Sequence, residues 1–363
     1  MLGTGGDATR FEFSPDGERA VFIANQREGA GRELWSSRLD RPGPAVLLND
    51  SLLPDLREVI TFDLDPGGQH VAFSASMEPD GRQQLFTVPI AGGQAELIGE
   101  AAVDDVLISF AFSGSGAWLY YGVGSFADQT FRRAPAAGGP AAIFATGVTE
   151  ATLSPDRQHF IYQSGNGNPW QTIALETGVV AQLTGRPAER VIWSPDSSRA
   201  IYWVDEGFGE LYSVPAAGGV SVRLNGAESP CTGSQAFRIR VAKDSSTVIF
   251  WCGGAEYSVP IAGGPAVVVT PFTLEDVTTT HDGATVLGIR APVNFGEGYR
   301  ITSAPTAGGE PTVLADIPPG SQFLGPFVTD LQVSADDSYL FFRRGQFSNA
   351  SSSFSLWGVP LAG

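Results

Sequence analysis

Four short strands recurring along 363 residues predict an all-β chain, an eight-bladed β-propeller of four-stranded antiparallel blades. Three observations carry that expectation. An apolar-x-apolar-Ser-Pro-Asp-x phrase repeats along the chain. A second phrase, ending in Val-Pro-x-Ala-Gly-Gly, follows each copy at a nearly constant distance. Gly (45) and Pro (25) make up about a fifth of the residues, the signature of a turn-dense chain.

The clear copies of the first phrase are FEFSPDG (11–17), ATLSPDR (151–157) and VIWSPDS (191–197). Degenerate copies are FDLDPGG (62–68), FAFSGSG (110–116), IRVAKDS (239–245), VTTTHDG (277–283) and LQVSADD (331–337). The serine position falls at 14, 65, 113, 154, 194, 242, 280 and 334, so the repeat is 38–54 residues long and occurs eight times. The expected repeats are 7–50, 57–100, 105–147, 148–185, 188–227, 234–271, 274–316 and 328–363, in one domain spanning 1–363.

Each repeat reads as strands a to d. Strand a ends at the Ser-Pro-Asp turn, where Pro and Asp preset a tight reversal and Gly supplies positive φ. Strand b carries the aromatic VxF or IxY. Strand c ends at phrases such as LFTVPIAGG (85–93), LYSVPAAGG (211–219) and ITSAPTAGG (301–309). Its proline is tolerated because a strand end need not donate its N–H. Repeats one and four substitute LWSSRLDRPG (34–43) and QTIALETG (171–178). Strand d is the short apolar run that follows. The last repeat stops within its c–d turn, while Leu2 precedes Ser14 much as Leu183 precedes Ser194. Either residues 1–6 complete the last blade as a shortened outer strand, or the chain is a fragment cut in phase, and the fragment is the favoured expectation.

The Phe-Ser-Pro-Asp-Gly turn, the Leu-Tyr-Ser-Val-Pro-x-Ala-Gly-Gly phrase and the repeat length resemble the WD-repeat-like propeller of TolB-type proteins. They are also similar to the propeller domains of prolyl oligopeptidase-type peptidases. The resemblance covers essentially the whole chain. It implies the fold and leaves the function open, because this unit hosts many roles.

Composition narrows the functions. Basic residues number 22 against 39 acidic, a net charge of −17. Nucleic-acid wrapping needs a basic face, so no nucleic-acid partner is expected. No apolar stretch reaches membrane-helix length, and no membrane insertion is expected. Lys243 is the only lysine, which points to a GC-rich bacterial source. Residues 1–13 carry no signal-peptide pattern. Cys231 lies in the d–a loop entering repeat six and Cys252 ends strand b of that repeat, so a disulfide between them is geometrically feasible. A bridge would imply an oxidising compartment, and a periplasmic or extracellular monomer is the expectation.

The a–b and c–d turns are short and uniform. The b–c loops (25–33, 76–84, 123–130, 290–298, 343–353) and d–a loops (49–58, 225–235, 316–330) vary, and function concentrates on such loops. Their aromatic anchors are expected to be Phe126, Trp170, Phe208, Phe295, Tyr299, Phe323, Phe327 and Phe347. A second candidate is the position four residues before the turn serine. It is polar in every repeat, including Arg10, Glu150, Arg190, Arg238, Asp276 and Asp330. The following residue is apolar in every repeat, so period-two alternation places the polar set on the innermost side of strand a, ringing a central channel. Pairing between neighbouring repeats is the plainer reading of these charges. Calcium is the sharper one, but arginines interleaved with the acids weigh against it, and no cofactor or metal is expected. His70, His159 and His281 are dispersed over three repeats. No Gly-x-Ser-x-Gly elbow exists, and no catalytic residues are assigned.

The function expected is a non-catalytic platform for a protein or peptide partner or other ligand. Two alternatives stand beside it. One is the gating propeller of a serine peptidase whose catalytic domain is absent. The other is a propeller hydrolase or lyase with a channel metal.

Overall fold

The computed structural model describes residues 8–27, 31–41, 43–52, 56–77, 80–102, 105–125, 127–204, 209–226, 237–292, 297–318, 327–347 and 352–361. Among them it is all-β, with 30 strands, one short 3-10 turn at Asp50–Leu52 and no α-helix. The strands form two compact units, Met1–Gln182 and Leu183–Gly363.

In the first unit, one sheet is β1 (Ala8–Phe13), β2 (Arg19–Ala24), β3 (Glu33–Arg38) and β4 (Val46–Leu47). The next is β5 (Leu56–Leu64), β6 (His70–Met77), β7 (Gln83–Pro89) and β8 (Glu96–Glu100). Repeats three and four merge into seven strands: β9 (Val106–Phe112), β10 (Trp118–Ser125), β11 (Asp128–Pro135), β12 (Ala142–Leu153), β13 (His159–Ser164), β14 (Pro169–Ala174) and β15 (Val179–Pro187), the last running across the boundary at Gln182. Here β12 serves both as strand d of one repeat and strand a of the next, jointed at Gly147 with φ of 65°.

In the second unit, one sheet is β16 (Arg190–Trp193), β17 (Arg199–Val204), β18 (Glu210–Pro215) and β19 (Val222–Arg223). It is followed by β20 (Phe237–Val241), β21 (Thr247–Cys252), β22 (Ala255–Pro260) and β23 (Val267–Thr270). Then come β24 (Val277–Thr279), β25 (Thr285–Arg290), β26 (Tyr299–Pro305) and β27 (Thr312–Ile317). The last sheet has three strands among the described residues: β28 (Phe327–Val333), β29 (Tyr339–Phe347) and β30 (Ser352–Pro360). Among the described residues the paired strands run antiparallel, as the hairpin chemistry predicts.

The core of each unit lies between consecutive sheets. Val21, Ile23 and Leu34 of one sheet pack on Phe62, Phe73 and Phe86 of the next. Ile201 and Leu211 meet Val248 and Phe250 in the same way. The outer face of the first sheet is open, with Phe11 64% and Phe13 59% exposed. The last sheet likewise leaves Tyr339, Phe341 and Leu356 exposed, while its other face, with Leu340 and Phe342, is buried.

The a–b turns explain the recurring phrase. Ser14 donates to the Asp16 carboxylate at 2.6 Å and accepts from the Arg19 N–H at 2.9 Å, and Asp16 accepts from the Glu18 N–H at 2.9 Å. The same hydroxyl–carboxylate bond recurs at Ser154–Asp156, Ser194–Asp196, Thr280–Asp282 and Ser334–Asp336, at 2.6–2.7 Å. These aspartates build turns. The fourth turn residue is left-handed throughout: Gly17, Gly68, Gly116 and Gly283 in four repeats, Arg157, Ser197, Ser245 and Asp337 in the others.

Candidate functional site

A bulge shapes the polar strand-a positions. In repeats one, two and four the a–b register slips between Ala8 and Arg10, Val59 and Thr61, and Val148 and Glu150. In repeats six and eight it slips between Phe237 and Arg240 and between Thr329 and Gln332, with Arg238 and Asp330 left-handed at φ near 60°. Bulges re-aim side chains, so strict alternation does not extend through strand a. The expected in–out pattern holds where Val191 and Leu331 are buried beside exposed Arg190 and Asp330. It fails at Phe11 and Ala151, which are exposed beside exposed Arg10 and Glu150.

Several of these polar residues tie one repeat to the next. In the first unit, Arg10 hydrogen-bonds Thr61, its counterpart in the next repeat, lies 4.9 Å over the Phe62 ring and pairs with Glu12 at 2.5 Å. In the second, Arg238 donates to the Leu274 carbonyl at 2.9 Å, and Asp276 accepts from the Leu331 N–H at 3.2 Å. Asp330 pairs with Arg343 of its own sheet at 3.2 Å. Glu150 and Arg190 are exposed. Among the described residues no three His, Cys, Asp or Glu side chains are grouped to hold a metal ion.

Non-glycine residues at the left-handed turn position form similar ties. Arg157 grips Asp63 with two bonds of 2.7 and 2.9 Å. Ser245 accepts from the Asp196 N–H at 2.9 Å, and Asp337 accepts from the His281 N–H at 3.0 Å and meets its ring Nδ1 at 2.7 Å. Such a conformation costs about 1 kcal/mol or more without glycine, and these bonds offset it.

The loop aromatics fare differently. Phe126, Phe208, Phe295 and Phe323 lie outside the described residues. Phe327 opens β28 and Phe347 closes β29, with side chains outside the description. Tyr299 opens β26, is half-buried, and has its hydroxyl pKa raised by burial and then by Glu275. Trp170 is a correction. It belongs to β14 and is buried, at the strand-c position filled by Leu34, Leu85, Phe131 and Leu211 elsewhere. Repeat four lacks the Val-Pro-x-Ala-Gly-Gly phrase, which hid where strand c begins. Cys252 is buried and carries no free thiol; Cys231 lies outside the described residues.

That same strand-c position exposes a residue the sequence reading missed. In repeat six it holds Glu256, only 1% exposed. Its Oε1 accepts the Leu274 N–H at 3.1 Å, while Arg238 holds the Leu274 carbonyl. Burial pushes the Glu256 carboxyl up to about 7, against the lowering effects of the Leu274 bond and of Arg238 and Arg240. Trp251, opposite Glu256, donates to Thr273 at 2.8 Å, so three side chains fix the connection to repeat seven. Aligning strand c by its proline would have revealed one carboxylate among large apolar residues.

No family model matches the chain, and no curated protein matches it. Solved structures do. A eukaryotic initiation factor is 12% identical with a TM-score of 0.58, over 98% of this chain and 91% of that one. One of two prolyl endopeptidases analysed for inter-domain dynamics is 13% identical, with a TM-score of 0.46, over 94% of this chain. The tricorn protease is 12% identical, with a TM-score of 0.41, over 98% of this chain. This chain spans 54% and 44% of those two proteins. At 12% identity the likeness to the initiation factor carries the fold alone, and with the sheets described above it gives a β-propeller-like, all-β architecture of repeated antiparallel sheets.

Proposed function

We propose that the chain is an eight-bladed β-propeller, of the kind TolB-type proteins carry, acting as a non-catalytic binding platform for a protein or peptide. The observation that carries the reading is an asymmetry between sheet ends. The a–b turns are short, near-identical and internally hydrogen-bonded. The b–c and d–a connections at the other end differ in length and composition from repeat to repeat, which is where a rigid scaffold carries specificity. The charged groups of strand a support the same reading, since Arg10, Arg238 and Asp276 hold neighbouring repeats together.

Eight blades are supported by the eight copies of the turn phrase, 38–54 residues apart. Small-angle scattering of a closed monomer should give a radius of gyration of about 21 Å; a markedly larger value would contradict closure. The thiol-free Cys252 supports an oxidising, periplasmic or extracellular setting in a bacterium.

The test of the platform is capture from a bacterial envelope lysate by the parent and by a variant with Phe126, Phe295, Phe327 and Phe347 changed to Ala. A partner held by the parent and lost by the folded variant supports the reading. Equal capture by both, or none, overturns the placement at the loops.

A further inference from the structure

The β3–β4 turn of the first sheet departs from the repeat. The residue opposite the start of strand b is proline in six other repeats, Pro89, Pro135 and Pro215 among them, and Ala174 in the seventh. In the first repeat it is Arg38, directly across the strand pair from Arg19. Like charges at directly opposed positions repel, so the arrangement costs stability. Three residues further on, the turn adds Arg41. The three guanidinium groups, with Ser36, line an open cavity of about 260 Å³ that no acidic side chain lines.

The guanidinium groups are held differently. Arg19 donates through Nη1 to the hydroxyl of buried Ser36 at 3.1 Å, which fixes its position. Arg38 is steadied by Asp40, which accepts from its Nε and Nη2 at 2.8 and 2.7 Å, with Glu18 at 3.9 Å. Among the described residues neither Arg19 nor Arg41 has a carboxylate within ion-pair distance. In repeat five the corresponding Arg199 bonds Ser213 through Nε at 2.6 Å and faces Pro215, so the Arg–Ser bond alone is a structural device of the fold. What repeat one adds is the second and third arginine. Asp16, Glu18 and Asp40 stand around the three arginines, so the lining is basic while its surroundings are balanced, and an anion is held locally rather than attracted at long range.

We propose that this cavity is a binding site for a phosphate-type oxyanion, as the free ion or as the end group of a phosphomonoester. Planar guanidinium forks match such oxygens. The volume falls just below the range of about 300–1,000 Å³ that accommodates drug-sized ligands, which fits a small anion. The site lies at the turn end of its sheet, away from the loops assigned to a protein partner.

The test is calorimetric titration of the whole chain at low ionic strength with inorganic phosphate and, separately, with glycerol phosphate. It is repeated on Arg41→Ala and on Arg38→Pro, the latter restoring the residue of six other repeats. The expected result is saturable binding of at least one probe, weakened about tenfold or more in each variant, as for loss of a charged hydrogen bond. Tighter binding of glycerol phosphate identifies an esterified group as the ligand, and tighter binding of phosphate the free ion. Failure of both probes to saturate, or unchanged binding in both folded variants, overturns the site.

Discussion

Glu256 is a carboxylate where Leu34, Leu85 and Leu211 stand in other repeats, and its pH dependence can be worked through. Replacing it by Gln keeps an oxygen to accept the Leu274 N–H and removes the charge. In the unfolded chain the carboxyl titrates near its ordinary 4.5, and in the fold at about 7. The folded state therefore binds the proton more tightly, and the cost of ionisation is absent below pH 4.5. Stability falls as pH rises from 4.5 to 7, and the full cost is present above that. At about 1.4 kcal/mol per pH unit, the buried charge costs roughly 3 kcal/mol at pH 8. Glu256→Gln should then be more stable than the parent by up to that amount at pH 8, and nearly equal to it at pH 4. Urea unfolding followed by tryptophan fluorescence at both values measures the difference. An equal effect at the two pH values, or destabilisation at pH 8, would refute the reasoning.

Other consequences follow from the turns and the thiols. Arg157→Gly relieves a left-handed residue but strips half-buried Asp63 of its cation, so a net loss of about 1–2 kcal/mol is expected in chemical denaturation, smaller in an Asp63→Asn background. Hydrogen bonds from Ser334 and Ser338 hold Asp336 at about 2, and those from Ser14 and Thr280 lower Asp16 and Asp282. The stability they contribute is complete above pH 3.8 and is lost as pH falls through the lowered range, down to about 2 for Asp336; Asp336→Asn should flatten that acid limb in thermal melts. Denatured, unreduced protein should show no free thiol to a labelling reagent, with Cys231 bridged to Cys252. Reduction should then cost about 3 kcal/mol, as expected for a loop of about 20 residues, read as a lower melting temperature.

The turns were legible because their chemistry is local: a hydroxyl, a carboxylate and three successive N–H groups need only neighbouring residues. Ser14–Asp16 and its counterparts follow from spacing alone. The four-strand repeat was legible for the same reason, since each hairpin carries its own reversal. Strand a was less so. Its bulge is set by sheet pairing, and nothing in the alternation of Arg10 and Phe11 marks it. The fusion of repeats three and four through β12 reflects a d–a connection too short to leave the sheet. Nothing local marks Arg157, the last residue of its turn phrase, yet its side chain crosses to repeat two. That partner is 94 residues away, and only the packing of sheets brings it near. Trp170 was misplaced because an aromatic beside Gly and Asn reads as loop when the strand-c phrase is missing. Glu256 and the arginines of the first c–d turn share a signal that was present in the sequence. Each breaks a repeat position that is otherwise uniform.

The most direct test of a loop-face platform is hydrogen–deuterium exchange of the chain with and without the protein captured from the envelope lysate. Protection confined to segments 123–130, 290–298, 316–330 and 343–353 is the predicted result. Protection centred instead on the Ser-Pro-Asp turns, with those segments unchanged, would contradict the account.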